Sequence, residues 1–338
     1  ISSLYFPLYS LLTSFFDVPK TTALWIAFAC GLYPAFMLYS NFAWADTAFI
    51  SLVALTTLLF GKFLHSRSTR DLFLFSCAAG FLYTIHPRAL PVLGILLIYL
   101  LATAVLKVLS KGQVLLSATT IGIVLTITKL VNEHLQAVGW VGEGEYSVAR
   151  MAGRLLPGNA FPLLLQRSLG QLLYLSLASH GLFLLGLVAA IWYIGRKLAS
   201  ESPRSALADP KTGVRIFMLI TACGVFIASL SVKLYSTYGA DGIRGAGFIP
   251  GRYNEAFAAL FIALALAEIC QSRFDTPQFV RRSVAVTATL MGLAALVMAQ
   301  IGAFFTTSGS EAMQASVRQA IPAARVLSLI HISEPTRR

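Results

Sequence analysis

The spacing of basic residues between long apolar runs constrains this chain most. About ten such runs follow one another, at residues 4–16, 21–40, 46–64, 71–86, 89–107, 113–131, 180–198, 215–234, 254–270 and 283–305. Most have close to the ~20 residues that a helix needs to cross a bilayer. The Lys and Arg residues between the runs concentrate in every second loop. Because cytoplasmic loops retain Lys and Arg, this alternation predicts a polytopic membrane protein of defined orientation.

Composition indicates the same fold class. Hydrophobic residues make up 57% of the chain and charged residues only 12%, whereas soluble domains carry about 25% charged residues. We therefore expect an all-α, polytopic transmembrane helical bundle of about ten spanning segments, forming a single domain over residues 1–305. The loop at about 132–179 is the longest on the predicted outer side. Its apolar stretch is interrupted by Gln166, Arg167 and Gln171, which predicts an interfacial amphipathic helix.

Both ends of the sequence suggest a longer natural chain. Residue Ile1 leads straight into an apolar run from the predicted outer side, so we expect another spanning helix upstream of it. Residues 306–326 are interpreted as an outer tail that begins a further C-terminal region. Residues 327–338 read LSLIHISEPTRR, which resembles a translated sequencing adapter and is set aside as non-native.

The first two predicted outer turns carry candidate functional residues. Asp46 stands at the start of an apolar run, and His86 and Arg88 flank a proline between two others. Asp46 fits either a helix N-cap or a substrate or metal contact. Arg88 fits either a side chain that snorkels to lipid phosphate or, together with His86, a phosphate-binding pair, because a guanidinium binds phosphate oxygens in bidentate fashion.

The loop at 233–255 is the strongest chemical signal of the sequence. Its several glycines allow a close approach of the backbone to a ligand. The substrate-binding candidates of this loop are Asp241, Arg244, Arg252, Tyr253 and Glu255. The structural alternative is an ion pair between Arg252 and Glu255 at the start of a helix, since ionisable groups at that depth need a partner or a cavity.

Charge also bears on the partners. The formal net charge is +12, but the basic residues are dispersed over short loops, and no basic helix or aromatic-basic strand pattern is present. Nucleic acid is therefore not an expected partner. Anionic membrane lipids and a substrate that carries phosphate fit this charge better.

Four short motifs together resemble a known family. They are Leu4 to Tyr9, Tyr33-Pro34 through Ser40-Asn41 to Asp46, His86-Pro87-Arg88, and Gly251-Arg252-Tyr253-Asn254-Glu255. Their order is similar to that in the integral-membrane glycosyltransferases of the GT-C fold, which include the dolichyl-phosphate-mannose protein mannosyltransferases and bacterial transferases that use polyprenyl-phosphate sugars. The resemblance extends up to about residue 305, and the chain would then be a fragment of such an enzyme.

The resemblance implies transfer of a sugar from a polyprenyl-phosphate donor to an acceptor at the outer face of the membrane. The short inner loops and the few cysteines indicate a bacterial plasma membrane, with the endoplasmic reticulum as the alternative. Arg88 and Arg252 would hold the donor phosphate, and His86 would donate a hydrogen bond to it. Asp46 and Glu255 would hold sugar or acceptor hydroxyls, or a divalent cation. The acidic catalytic residue of the family is expected upstream of Ile1, with a contribution from Asp46.

Two other functions stay open at this point. A lipid-linked polysaccharide flippase or polymerase would also present arginines to phosphate, and a secondary transporter would use ionisable groups within its helices. The sugar, the acceptor, the metal requirement and the oligomeric state leave no recognisable trace in the sequence.

Overall fold

The computed structural model is helical in the part of the chain that it describes. That part comprises residues 2–33, 45–138, 178–233 and 254–271, with single positions between 168 and 176 and at 284, 288 and 292. The helices with defined bounds are α1 (Ser2–Phe15), α2 (Lys20–Gly31), α3 (Ala45–Ser66), α4 (Thr69–Ile85), α5 (Ala89–Val105), α6 (Lys111–Ala137), α7 (Leu182–Ser200), α8 (Pro203–Ala208), α9 (Pro210–Lys233) and α10 (Glu255–Cys270). Each predicted run before residue 271 contains a helix, which confirms the all-helical class for the described residues. The second run is described only as far as residue 33.

Four of these helices, α3, α6, α7 and α9, are long and apolar enough to cross a membrane. Large apolar side chains also point away from the protein, such as Val105 with 81%, Ile98 with 68% and Leu115 with 68% of its surface exposed. Apolar surface of this kind requires a non-aqueous surrounding. By length and composition the chain therefore belongs to the membrane-protein class. The described residues contain these four candidate spans, so the count of about ten stays a prediction. The tail 306–326, the segment 327–338 and all but single positions of the tenth run lie outside the described residues.

Three features differ from the sequence predictions. Helix α6 begins after a capping box at Ser110 and runs to Ala137 rather than ending near residue 131. An ion pair between Lys129 and Glu133 supports its polar end. The short helix α8 was not predicted; the Ser202 hydroxyl caps it and Pro203 occupies its first turn.

Arg215 is the third difference. The apolar run 215–234 predicts it at the boundary of a loop, but it lies inside α9 with 1% of its surface exposed. Its Nη2 is 3.7 Å from Oε1 of Glu268 on α10, and its guanidinium carbon lies 3.8 Å from the centre of the Tyr193 ring. The carboxylate and the aromatic face together compensate for the loss of water around the cation.

Aromatic side chains fill the core between the helices. The Phe60 ring of α3 contacts the rings of Phe75, Tyr99 and Phe217 at centroid distances of 4.8, 5.9 and 5.2 Å. These contacts join α3 to α4, α5 and α9, and a comparable aromatic contact joins α7 to α10. Helix α10 is buried around almost its whole circumference, so it is the central helix of the described bundle.

One end of the bundle, here named the Arg67 end, is defined by polar contacts between helix ends. Arg67, after α3, donates from Nη2 to the carbonyl oxygen of Ala208 at 2.8 Å. Lys211 at the start of α9 pairs with Asp17 after α1. Gln271 after α10 donates from Nε2 to the carbonyl oxygen of Phe16. The ends of α1, α3 and α10 and the start of α9 therefore meet at the Arg67 end.

The opposite end, here named the Arg88 end, follows from the helix directions. It holds the starts of α3, α5 and α10 and the ends of α2, α4 and α9. The end of α2 packs on the start of α10, where the Cys30 thiol is 4.0 Å from the carbonyl oxygen of Ala259. Asp46, His86, Arg88 and Glu255, which the charge alternation predicts on one face, lie at this one end. The side of the membrane that it faces stays a prediction.

Candidate functional site

A buried ion pair lies at the centre of the Arg88 end. Asp46 is in the first turn of α3, where the helix dipole stabilises a carboxylate. Its Oδ1 is 3.2 Å from Nη1 of Arg88, the residue that precedes α5. The side chain of Arg88 is 5% exposed and that of Asp46 16%. Arg88 is thus held inside the bundle by a carboxylate, and its side chain does not extend to the surface as a snorkelling cation would.

His86 is attached to this ion pair through the backbone. It follows the last residue of α4 in an extended conformation, and its Nδ1 accepts a hydrogen bond from the backbone N–H of Arg88 at 3.2 Å. The ring packs against Phe49 of α3, with 5.8 Å between the ring centres. Burial, with a contribution from the Arg88 cation and against the opposing effect of Asp46, lowers the pKa of His86 to about 4. The imidazole is therefore neutral at pH 7, and Nε2 carries its N–H donor.

A second polar cluster lies at the same end, between α9, α10 and residues 171–176. The Tyr174 hydroxyl donates to Oε1 of Glu255 at 2.5 Å, and the Asn254 side-chain amide donates to Oε1 of Gln171. The Gln171 amide in turn donates to the Ser229 hydroxyl at 3.3 Å. Gln171 and Tyr174 are one helical turn apart, so Asn254 and Glu255 both reach the same short segment.

This cluster keeps polar groups deep inside an apolar bundle. Glu255 and Asn254 have no exposed surface, and Gln171 has 1%. Burial and the bond to Glu255 raise the pKa of Tyr174, so its hydroxyl stays protonated as a donor. Among the described residues, none donates a hydrogen bond to the buried Oδ1 of Asn254. Because such groups are costly in an apolar surrounding, they indicate a ligand or a functional contact.

The structure therefore brings together part of the predicted site. Asp46, His86 and Arg88 form one cluster, and Glu255 belongs to the second cluster at the same end. The predicted site residues Asp241, Arg244, Arg252 and Tyr253, and with them the alternative Arg252–Glu255 ion pair, lie outside the described residues.

Three further members of the second cluster are not among the predicted site residues. Gln171 is predicted only to interrupt an apolar stretch, and the sequence assigns no role to Tyr174 or Asn254. The signal was the helical spacing of polar residues within otherwise apolar sequence. The described residues 171, 174, 175 and 176 are at least half-buried against the bundle; their interfacial position stays a prediction.

Within the described residues, no group of three or more His, Cys, Asp or Glu side chains is arranged to hold a metal ion. Asp46 and Glu255, the two carboxylates considered for a divalent cation, belong to separate clusters of the Arg88 end. Comparison with known proteins gives no match to a family model, to a curated protein or to a solved structure. The chemistry of the two clusters is therefore the basis for a functional assignment.

Proposed function

We propose that this chain is part of a GT-C-type membrane glycosyltransferase that moves a sugar from a polyprenyl-phosphate donor to an acceptor hydroxyl. One observation supports the proposal above others: an arginine, its carboxylate partner and a neutral histidine are held together at the same bundle end as a second buried carboxylate. A lipid-linked substrate enters such a site from the bilayer, between helices that cross it.

The Arg88 cluster is the proposed site for the donor phosphate. The guanidinium of Arg88 presents its N–H donors in a planar fork that matches phosphate oxygens, and Asp46 pairs with its Nη1. Asp46 fixes the position of the guanidinium, and the neutral His86 supplies an Nε2–H donor without adding charge. As the bond between the anomeric carbon and the phosphate oxygen breaks, the electron pair stays on that oxygen. Preorganised donors stabilise this developing charge more strongly than water does.

The Glu255 cluster is the proposed site for sugar or acceptor hydroxyls. Carboxylate, amide and phenol groups bind hydroxyls in both directions, and Asn254 Oδ1 is an acceptor ready for an O–H donor. The acceptor oxygen attacks the anomeric carbon, and its proton passes to a carboxylate. Asp46 lies beside the phosphate-binding guanidinium, where it can contribute to accepting that proton.

Transfer assays with the full-length protein in membrane vesicles test the proposal. Arg88→Gln keeps a similar volume and removes the cation, so we expect the rate from a polyprenyl-phosphate sugar to fall by about 10²–10³-fold. Lys111→Gln makes the same charge change at the opposite end, where Lys111 is exposed, and should leave the rate unchanged. Equal rates for the two variants, with both proteins folded, would remove Arg88 from the donor site.

A further inference from the structure

The Arg67 end contains a cavity that has no part in the proposed transfer site. It has a volume of about 280 Å³ and is lined by Ser14, Phe15, Lys62, His65, Ser66 and Asp71. We propose that this cavity binds the headgroup of a zwitterionic aminophospholipid, with the phosphate on Lys62 and the ammonium on Asp71. The inference does not depend on the proposed glycosyltransferase function, because the two sites are at opposite ends of the bundle.

Three helix ends build the cavity. The end of α1 contributes Ser14 and Phe15, the last turns of α3 contribute Lys62, His65 and Ser66, and the start of α4 contributes Asp71. Phe15 is buried and packs so closely on α3 that a Cβ at Gly61 would lie 2.6 Å from its ring. Phe15 therefore gives the cavity an apolar wall that is packed against α3. Pockets for whole small molecules begin near ~300 Å³, so the volume suits a headgroup better than a lipid-linked sugar.

The two charged side chains of the cavity, Asp71 and Lys62, differ in the contacts that they already make. The Asp71 carboxylate accepts a hydrogen bond from the Ser66 hydroxyl, which leaves acceptor capacity, since a carboxylate has about four lone-pair sites. Lys62 is exposed and makes no salt bridge with the described residues, although, after the hydrogen bond from Ser66, its charge and that of Arg70 both help to lower the pKa of Asp71. Its three N–H donors can all turn to a phosphate.

Charge complementarity selects the class of ligand. An ethanolamine headgroup carries a phosphate and an ammonium a few atoms apart, and the cavity presents one cation and one carboxylate. A headgroup with phosphate alone would meet Lys62 but gain nothing from Asp71. A trimethylated headgroup would bring the positive charge without an N–H donor. The amine headgroup is therefore the one that uses both side chains.

The position of the cavity suits a lipid rather than a soluble ligand. It lies at the end of α3, a helix of membrane-crossing length, and thus at the depth of the headgroups. Leu74 is one turn deeper than Asp71 on the same face of α4 and is 40% exposed, and its neighbour Phe73 is 49% exposed. These side chains provide an apolar surface along which acyl chains can lie while the headgroup occupies the cavity.

Native mass spectrometry of the full chain, released from micelles with equal amounts of phosphatidylethanolamine, phosphatidylglycerol and phosphatidylcholine, tests the proposal. The wild type should retain phosphatidylethanolamine in preference to the other two lipids. Lys62→Gln should weaken this retention by about tenfold, the effect of one lost charge-assisted contact. Asp71→Asn should lower it to the level of phosphatidylglycerol. Lys111→Gln, at the same end but outside the cavity, should behave as the wild type.

Two results of the mass spectrometry would overturn the proposal. The first is equal retention of phosphatidylethanolamine and phosphatidylglycerol by the wild type; the second is equal behaviour of Lys62→Gln and Lys111→Gln. Competition with soluble phosphoethanolamine distinguishes a site for a membrane lipid from a site for a free, soluble ligand. Displacement of the bound lipid by this compound supports recognition of the headgroup, whereas binding of the soluble compound with no retention of the lipid would contradict a lipid site.

Discussion

The contact between α7 and α10 gives a sharp test of the packing that positions Glu255. Gly186 on α7 faces the backbone of α10, and a Cβ added there would lie 1.9 Å from the carbonyl oxygen of Phe261. On the same helix, a Cβ at Gly195 would meet no atom within 4 Å. Gly186→Ala and Gly195→Ala therefore make the same chemical change at a closed and at an open position.

The expected effects have opposite signs. Alanine favours a helix over glycine by about 1 kcal/mol, so Gly195→Ala should leave the free energy of unfolding unchanged or raise it by up to that amount. At Gly186 the methyl group meets backbone, which cannot turn aside, and the two helices must separate by more than ~1 Å to restore a normal contact. Overpacking costs about 1–3 kcal/mol, and we expect the upper part of this range.

Unfolding by SDS in mixed micelles, followed by tryptophan fluorescence, measures both variants against the wild type. Gly186→Ala should unfold at a clearly lower SDS fraction than Gly195→Ala. If Gly186→Ala is as stable as Gly195→Ala, the close approach of α7 to α10 is refuted, and with it the placement of the start of α10 beside residues 171–176.

Three further predictions concern buried polar groups. Arg215→Met or Glu268→Gln alone should lower the free energy of unfolding by about 3–5 kcal/mol, because each leaves an uncompensated charge, while the double variant should recover much of the loss in the same SDS titration. His86 has a pKa of about 4 when folded and 6.5 as a free side chain, so the unfolded state binds the proton first as the pH falls. The melting temperature should drop between pH 6.5 and 4, and less in His86→Asn, whose side-chain oxygen can replace Nδ1. Tyr174→Phe should cost about 1.5–3 kcal/mol through the lost bond to Glu255, measured by thermal unfolding in detergent.

The positions of the helices could be predicted well from the sequence, because apolar runs of membrane length have few alternative structures. The errors arose where a charged residue was taken as the end of a run. Arg215 lies inside α9 because Glu268 forms an ion pair with it and the Tyr193 ring packs on its guanidinium, and both partners come from other helices. A pairing between residues so distant in sequence leaves no periodic signal.

For the candidate site, too, the sequence predicts where residues lie but not which residues contact one another. The alternation of basic loops is sufficient to predict that Asp46, His86 and Arg88 share one end of the bundle. It does not predict that Asp46 and Arg88 form an ion pair, since that depends on how α3 and α5 pack. The Asn254–Gln171 and Glu255–Tyr174 contacts were missed for the same reason, because each joins two segments that the sequence treats separately.

Binding of a polyprenyl phosphate, compared with the matching polyprenol, tests the central claim most directly. The two lipids differ only in the phosphate, so any difference in affinity for the full-length protein in nanodiscs reports on a phosphate-binding group. We predict that the wild type binds the phosphate at least about tenfold more tightly than the alcohol, and that Arg88→Gln loses this difference while Lys111→Gln keeps it. Equal affinity of the wild type for the two lipids, or an unchanged preference in Arg88→Gln, would contradict the assignment of the Arg88 end as the donor site.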